Sequence, residues 1–310
     1  MPSRPVSAPR AAPRHADQQE DKQMIPSAFD FYAPRSLDEA VALLGQHGDD
    51  AKVLAGGQSL IPAMRFRLAA PAVLVDINAI AGLDHIREDG SNLLIGALAR
   101  EAALEEQAFI RERYPLLADA AHVIADPLVR NRATVGGNLA HADPANDHPA
   151  VMLAYGAELR VYGPRGQRTI AIDDFFTGMF STALEPDELL TEIRIPAPGP
   201  GSGGAYLKVE RKVGDYAVSA VAVQLTMEGD VCRAIRIGLT NVSPAPMRAE
   251  EAERILTGQR LSEELLEAAG QAAAAACDPS ADLRGSVEYK RDLTRVLLKR
   301  AVRKAAARAQ

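Results

Sequence analysis

Apolar positions up to about residue 160 fall in short runs that alternate with amphipathic stretches; beyond residue 200 longer β-like runs come first and helical patterns follow. Ser36-Leu-Asp-Glu39 has the spacing of a capping box, and Leu37, Val41, Leu43 and Leu44 continue it as an amphipathic helix closed near Gly45 and Gly48. AKVLAGG predicts a short buried strand through Val53 and Leu54 that ends in Gly56-Gly57. VLVDI (73–77) and NLLIGAL (92–98) predict further strands, Glu101 to Arg113 a helix, and PLLADAAHVIAD (115–126) another. RNRATVGGNLAHADPANDHPA is expected to form a long polar loop that leaves a short strand. Residues 157–172 predict a hairpin turning at Gly163–Gly166, and LLTEIRIP (189–196) another strand.

The Pro/Gly cluster PAPGPGSGG (196–204) marks the best boundary in the chain. After it come three expected strands (205–212, 216–227 and 231–242), then helices at about 247–257, 262–276 and 286–308. The fold class expected is α+β, with domains at 24–200 (subdomains about 24–80 and 81–200) and 201–310. Residues 1–23 are rich in Pro, Ala, Arg and Gln, too poor in large apolar groups to order themselves, and are expected to be a disordered extension.

Composition narrows the function. A formal net charge of -6 argues against a general nucleic-acid binder. No apolar run approaches the roughly 20 residues that span a bilayer. The two cysteines, Cys232 and Cys277, make no disulfide framework, and the usual iron–sulfur cluster needs about twice as many thiolates. The basic residues of the last helix (Lys290, Arg291, Arg295, Lys299, Arg300, Arg303 and Lys304) are expected to form a solvated face, although a partner could dock there.

Two glycine pairs carry the candidate chemistry. In Ala55-Gly56-Gly57-Gln58-Ser59 a strand runs straight into two residues without Cβ, so the backbone can turn and aim N–H groups at an anion such as a pyrophosphate. Thr134-Val-Gly136-Gly137-Asn138 repeats the pattern with flanking hydroxyl and amide groups. Alone, each reads equally well as a tight turn; together they could grip a dinucleotide from both sides. A Rossmann fold fits poorly, despite Asp76 at a suitable distance, because no third glycine follows and Pro62 interrupts the early helix. His141, Asp143, Asp147 and His148 match no zinc spacing; they read as a polar loop, or as groups that hydrogen-bond a cofactor, with Asp147 accepting from a ring or ribityl group.

The chain resembles the FAD-binding medium subunit of the molybdenum hydroxylases, a group that includes aerobic carbon monoxide dehydrogenase and the xanthine, nicotine and caffeine dehydrogenase types. The resemblance runs from about Met24 to the end and rests on IPSAFDFYAPRSLDEAVALL, AGGQSLIPAMRFRLAAP, RNRATVGGNLAHADPANDHPA and EYKRDLTRVLLKRAV. It implies an FAD-binding domain of the vanillyl-alcohol oxidase type, made of two subdomains, followed by a C-terminal three-stranded antiparallel sheet with a helical bundle. It implies that Lys52, Val53, Leu54, Ala55, Gly56, Gly57, Gln58, Ser59, Leu60 and Ile61 hold the pyrophosphate from one side, and Thr134, Gly136, Gly137 and Asn138 from the other. By the same resemblance Gly96 and Ala97 lie near the cofactor, Asp147 at the flavin's polar side, Leu190 near the ring and Tyr216 beside the isoalloxazine. Ala99 departs from the pattern, since many relatives carry Thr there, which puts a side-chain contact at that point in doubt.

The implied role is electron transfer. A large subunit would carry the molybdenum cofactor and a small one the [2Fe-2S] clusters, in a cytoplasmic dimer of heterotrimers, with association to the inner membrane face left open. FAD in this chain would collect the electrons for an acceptor such as a quinone, NAD or oxygen. No catalytic acid–base residue and no metal ligand is assigned to this chain. Two other classes stay open: a stand-alone FAD oxidase or reductase, for which His141 would be the candidate base, and a scaffold whose glycine pairs are only turns.

Overall fold

The computed structural model describes residues 25–309, so the expectations for residues 1–23 lie outside the described residues. Three hydrophobic cores, each built on its own sheet, organise the chain.

The first unit holds β1 (Asp30–Tyr32), α1 (Leu37–His47), β2 (Ala51–Leu54), α2 (Leu60–Arg65) and β3 (Val73–Asp76), of which α1, β2 and β3 supply its core. The strands are all parallel, in the order β1-β3-β2. Ser36 caps α1 by accepting from the Glu39 N–H at 3.2 Å. Glu39 reaches back one residue further than a capping box does, accepting from the Arg35 N–H at 2.8 Å. Ala40, Val41 and Leu44 face the sheet, and Gly48 ends the helix at φ 52°.

The second unit starts with the hairpin of β4 (Ile86–Asp89) and β5 (Asn92–Gly96). Helices α3 (Glu101–Glu106), α4 (Ala108–Arg113), α5 (Pro115–Val123), α6 (Pro127–Arg130), α7 (Val135–His141) and α8 (Asp147–Tyr155) follow. Then come the hairpin of β6 (Glu158–Gly163) and β7 (Gly166–Ala171), the small hairpin of β8 (Phe176–Gly178) and β9 (Ser181–Thr182), and β10 (Leu189–Pro196). The antiparallel sheet has the order β4-β5-β10-β6-β7, so β10 lies at its centre, and six of its eight residues are buried.

The third unit holds β11 (Ser202–Val209), β12 (Ser219–Glu228) and β13 (Val231–Thr240), three long antiparallel strands. Two-residue strands β14 (Met247–Arg248) and β15 (Gln259–Arg260) extend the β13 edge. Helices α9 (Glu250–Leu256), α10 (Glu263–Ala276) and α11 (Val287–Arg308) complete its core. The second unit joins the third through α8, whose nine residues are all buried. Gly238 of β13 lies so close to Ala150 that a Cβ there would stand 2.7 Å from its carbonyl carbon.

Three expectations need correcting. The helix expected over 101–113 is two helices that part at Gln107, whose backbone is extended. The polar loop expected after residue 130 is largely helical: Thr134 touches Arg100 through a single bridge, and Gly136-Gly137 sit in the first turn of α7, not in a loop. Packing overrides the poor helix propensity of glycine there, because a Cβ on Gly136 would stand 2.6 Å from Ala97 Cα. The basic side chains of α11 are not simply a solvated face. Lys290 is 2 % exposed and bonds Ser280 O and Asp282, Arg291 bonds Cys277 O, and Arg295 and Lys299 pair with Glu267. The helix is sandwiched between a sheet and α10, and its charges meet acidic partners and carbonyls.

Candidate functional site

A cleft of about 600 Å³ opens where the first and second units meet, within the range of small-ligand sites. Its floor is the loop that leaves β2. Gly57 holds φ +72°, a left-handed conformation that glycine adopts freely. Gly56 presses on the segment before α7: a Cβ there would stand 2.8 Å from Ala133 Cα. The two glycine pairs therefore come from different units and are brought side by side.

The N–H groups of Gly56, Gly57, Gln58 and Ser59 find no acceptor among the described residues. Four successive unpartnered donors in a turn form an anion nest. The facing pair is different. The Gly136 N–H donates to Ala97 O at 3.1 Å and the Gly137 N–H to Thr134 Oγ1 at 3.1 Å, so those donors are already engaged. What this side offers is the Thr134 hydroxyl, the surface of Gly137, and the Asn138 side chain, whose Oδ1 is buried without a partner. A buried amide oxygen left unpaired is costly and marks a place where a ligand donor belongs.

Of the residues singled out from the sequence, Lys52, Val53, Ala55, Gly56, Gly57, Gln58, Ser59, Leu60, Thr134, Gly137, Asn138, Asp147 and Tyr216 line the cleft. Leu54 and Ile61 stand behind the wall, their methyl groups 3.1 and 2.7 Å from where a Gly57 Cβ would be. Gly136 lies one layer back on Ala97, and Gly96 further back, closed off by Leu83. Leu190 is buried in the second core, away from the wall. Ala99 is also buried, and its carbonyl accepts from the Val135 N–H at 3.0 Å.

Other wall residues were missed from the sequence. Ile124, Ala125, Asp126 and Val129 come from the turn around α6, and Leu184, Glu185, Pro186 and Glu188 from the approach to β10. Asp126-Pro127 could have been read as a helix start, since Asp126 accepts from the Val129 N–H at 3.0 Å. Nothing in 184–188 announces a site.

Electrostatics differ across the cleft. Burial pushes the Asp147 carboxyl up, against the pull of the Lys208 ammonium at 3.2 Å and the Tyr206 hydroxyl at 2.5 Å. Burial lowers the His141 imidazole, offset in part by Asp143, and its ring lies tilted against Phe180 with the ring centres 5.2 Å apart. Asp215, beside Tyr216, is held down at about 2, chiefly by Arg284, which also lies 5.7 Å from the centre of the Tyr216 ring. No group of His, Cys, Asp and Glu among the described residues is arranged to hold a metal. Both cysteines are buried in the third core, where burial pushes each thiol up to about 11.

Residues 27–198 match the FAD binding domain in molybdopterin dehydrogenase, and residues 204–305 the CO dehydrogenase flavoprotein C-terminal domain. The chain is 48% identical over 285 residues to the carbon monoxide dehydrogenase medium chain of Hydrogenophaga pseudoflava, covering 92% of this chain and 99% of that one. It is 47% identical over 287 residues to the medium chain from Afipia carboxidovorans, covering 93% and 100%. A solved structure of the Hydrogenophaga pseudoflava enzyme, lacking the Mo-pyranopterin moiety of its cofactor, superimposes with a TM-score of 0.90 at 49% identity, over 92% of this chain and 99% of that one.

Proposed function

The chain belongs to the FAD-binding medium-chain family of the molybdenum hydroxylases, in which carbon monoxide dehydrogenase falls, and from that premise we propose that it is the electron-transfer subunit of such a complex. In this reading the cleft holds FAD, electrons arrive from iron–sulfur clusters of a small partner subunit, hydroxylation takes place at a molybdenum cofactor in a large subunit, and an external acceptor takes the electrons away. The complex is a cytoplasmic dimer of heterotrimers. Residues 24–200 serve as the cofactor domain and 201–310 as the C-terminal domain.

The observation that carries the reading is the run of four unpartnered N–H groups at Gly56–Ser59, set opposite Thr134 and Asn138. These groups fit a pyrophosphate: the donors are uncharged and unpartnered, their residues line one cleft, and the glycine surfaces let the ligand approach the backbone. Asn138 Oδ1 takes a ligand donor. Asp147 presents its carboxyl group from the first turn of α8, at the cleft wall. Tyr216 supplies an aromatic face, steadied by Arg284. FAD supplies the redox chemistry, exchanging electrons singly with iron–sulfur centres and in pairs with organic acceptors. The protein's part is to bind, orient and shield it. The two cysteines are buried away from the cleft, so cluster ligands must come from another chain.

Isolation from the native host tests the proposal. The chain should co-purify with molybdenum- and iron-containing subunits, and substrate added to the complex should bleach the flavin bands. Full activity of the chain on its own, with neither metal present, would refute the subunit role.

A further inference from the structure

A second cavity, of about 690 Å³, lies behind Asp147 and is lined by Tyr206, Lys208 and Glu210 of the β11 segment with Glu105, Asp119 and His122. Asp147 stands in the partition: it lines the first cleft, while its carboxylate bonds Tyr206 Oη and Lys208 Nζ, which line the second cavity. The Lys208 side chain is only 3 % exposed. Its ammonium also bonds Val123 O at 3.1 Å and lies 3.2 Å from Glu210 Oε2, an oxygen that makes no aligned hydrogen bond. The Glu210 side chain is 19 % exposed. Asp147 is thus hydrogen-bonded to Lys208, and Lys208 forms an ion pair with Glu210, which lines the second opening.

Resting on the reading that the cleft holds FAD, we propose that Asp147, Lys208 and Glu210 form a proton route that joins the cofactor cleft to the second cavity. A ligand filling the cleft excludes water from the Asp147 side, and the path behind Asp147 then becomes the remaining way in. FAD held in the cleft would need protons from outside as it is reduced, and the route would carry them one at a time. Asp147, in its protonated form, releases a proton into the cleft; the Lys208 ammonium restores it; the Glu210 carboxyl reprotonates Lys208; and Glu210 takes a proton from water in the second cavity. The chain of groups ends in the charge state in which it began.

The environment suits Asp147 to both forms. Burial pushes its carboxyl up, and Lys208 and Tyr206 pull it back. The other ionisable groups around it are His148, paired with Glu101 at 2.6 Å on the α8 side, and Tyr216 on the cleft side.

The test uses the full chain loaded with FAD, in weak buffer, with a photochemical one-electron donor and a pH-indicator dye. Flavin absorbance and proton uptake are read on the same sample. In Glu210→Gln, electron arrival should be unchanged and proton uptake slowed roughly 100-fold, the scale of losing a positioned acid. Formate, small enough to enter the second cavity, should restore the rate. Glu210→Asp, which retains a carboxyl group, should keep it near that of the original protein. Proton uptake at the original rate in Glu210→Gln, or slowing that formate does not relieve, would overturn the route while leaving the cofactor reading intact. Absence of flavin bands from the loaded original protein would overturn both.

Discussion

Replacing Gly56 by alanine adds a single methyl group at the point where the two units meet. That carbon would lie 2.8 Å from Ala133 Cα and against Arg132 O, both backbone atoms that cannot rotate aside. Overpacking of this kind costs about 1–3 kcal/mol. The strain can be relieved only by parting the β2 loop from the segment before α7, which moves the four free N–H groups off their common target. If about 1.4 kcal/mol of that strain falls on binding, affinity for FAD should drop by about 10-fold. Quenching of flavin fluorescence on titration of the apoprotein measures this directly. Gly45→Ala is the control: nothing lies within 4 Å of its Cβ position, it sits inside α1, and the change should raise stability slightly and leave FAD binding alone. Unaltered affinity in Gly56→Ala would refute the idea that the abutting loops set the donor geometry.

Other outcomes follow from the same structure. Gly57→Val forces a β-branched residue to φ +72° and against Ile61, and Gly137→Val collides with Thr134 Oγ1 at 2.6 Å; both should lose retained flavin through gel filtration while staying folded by far-UV circular dichroism. Ser36→Ala removes the cap of α1 and should lower unfolding free energy by about 1 kcal/mol in urea titration. Burial alone would lower His148, but the Glu101 carboxylate overrides it and the imidazole is raised. The pair therefore adds stability fully below the ordinary histidine value of about 6.5, and loses it as pH rises through the raised value. Thermal melts should show that decline on the alkaline side, and His148→Gln should flatten it.

Much of the fold can be read from local residue patterns. The strand at 189–196 and the hairpin turning at 163–166 appear where alternation and turn residues place them. The helix expected from 262 starts at Glu263 under a Ser262 cap. What local pattern could not give was set by contacts distant in sequence. The glycine pair at 136–137 looked like a loop because glycine is a poor helix former, yet at Gly136 the backbone of Ala97, some forty residues earlier, leaves room for nothing larger. The α11 charges looked solvated because their partners, such as Glu267 and Asp119, lie on other helices. At the site, the β2 loop and Thr134, Asn138 and Tyr216 were legible through motif and resemblance; Leu184–Pro186 were not, since only the return of the chain into the middle of the second sheet carries them to the cleft.

That central strand shapes how the protein is made. β4-β5 and β6-β7 are local hairpins, each able to form as soon as it leaves the ribosome, but Ile193 of β10 must then slot between Ile95 and Leu159. Until residue 196 has emerged, both hairpins present an open edge ready to pair with any strand nearby. The residues before β10 join the cleft wall at the same moment, and Tyr216 follows only with the third unit, so capture of the cofactor is a late event in biogenesis. A chain halted before Leu189 would have two unpaired strand edges and an unfinished pocket.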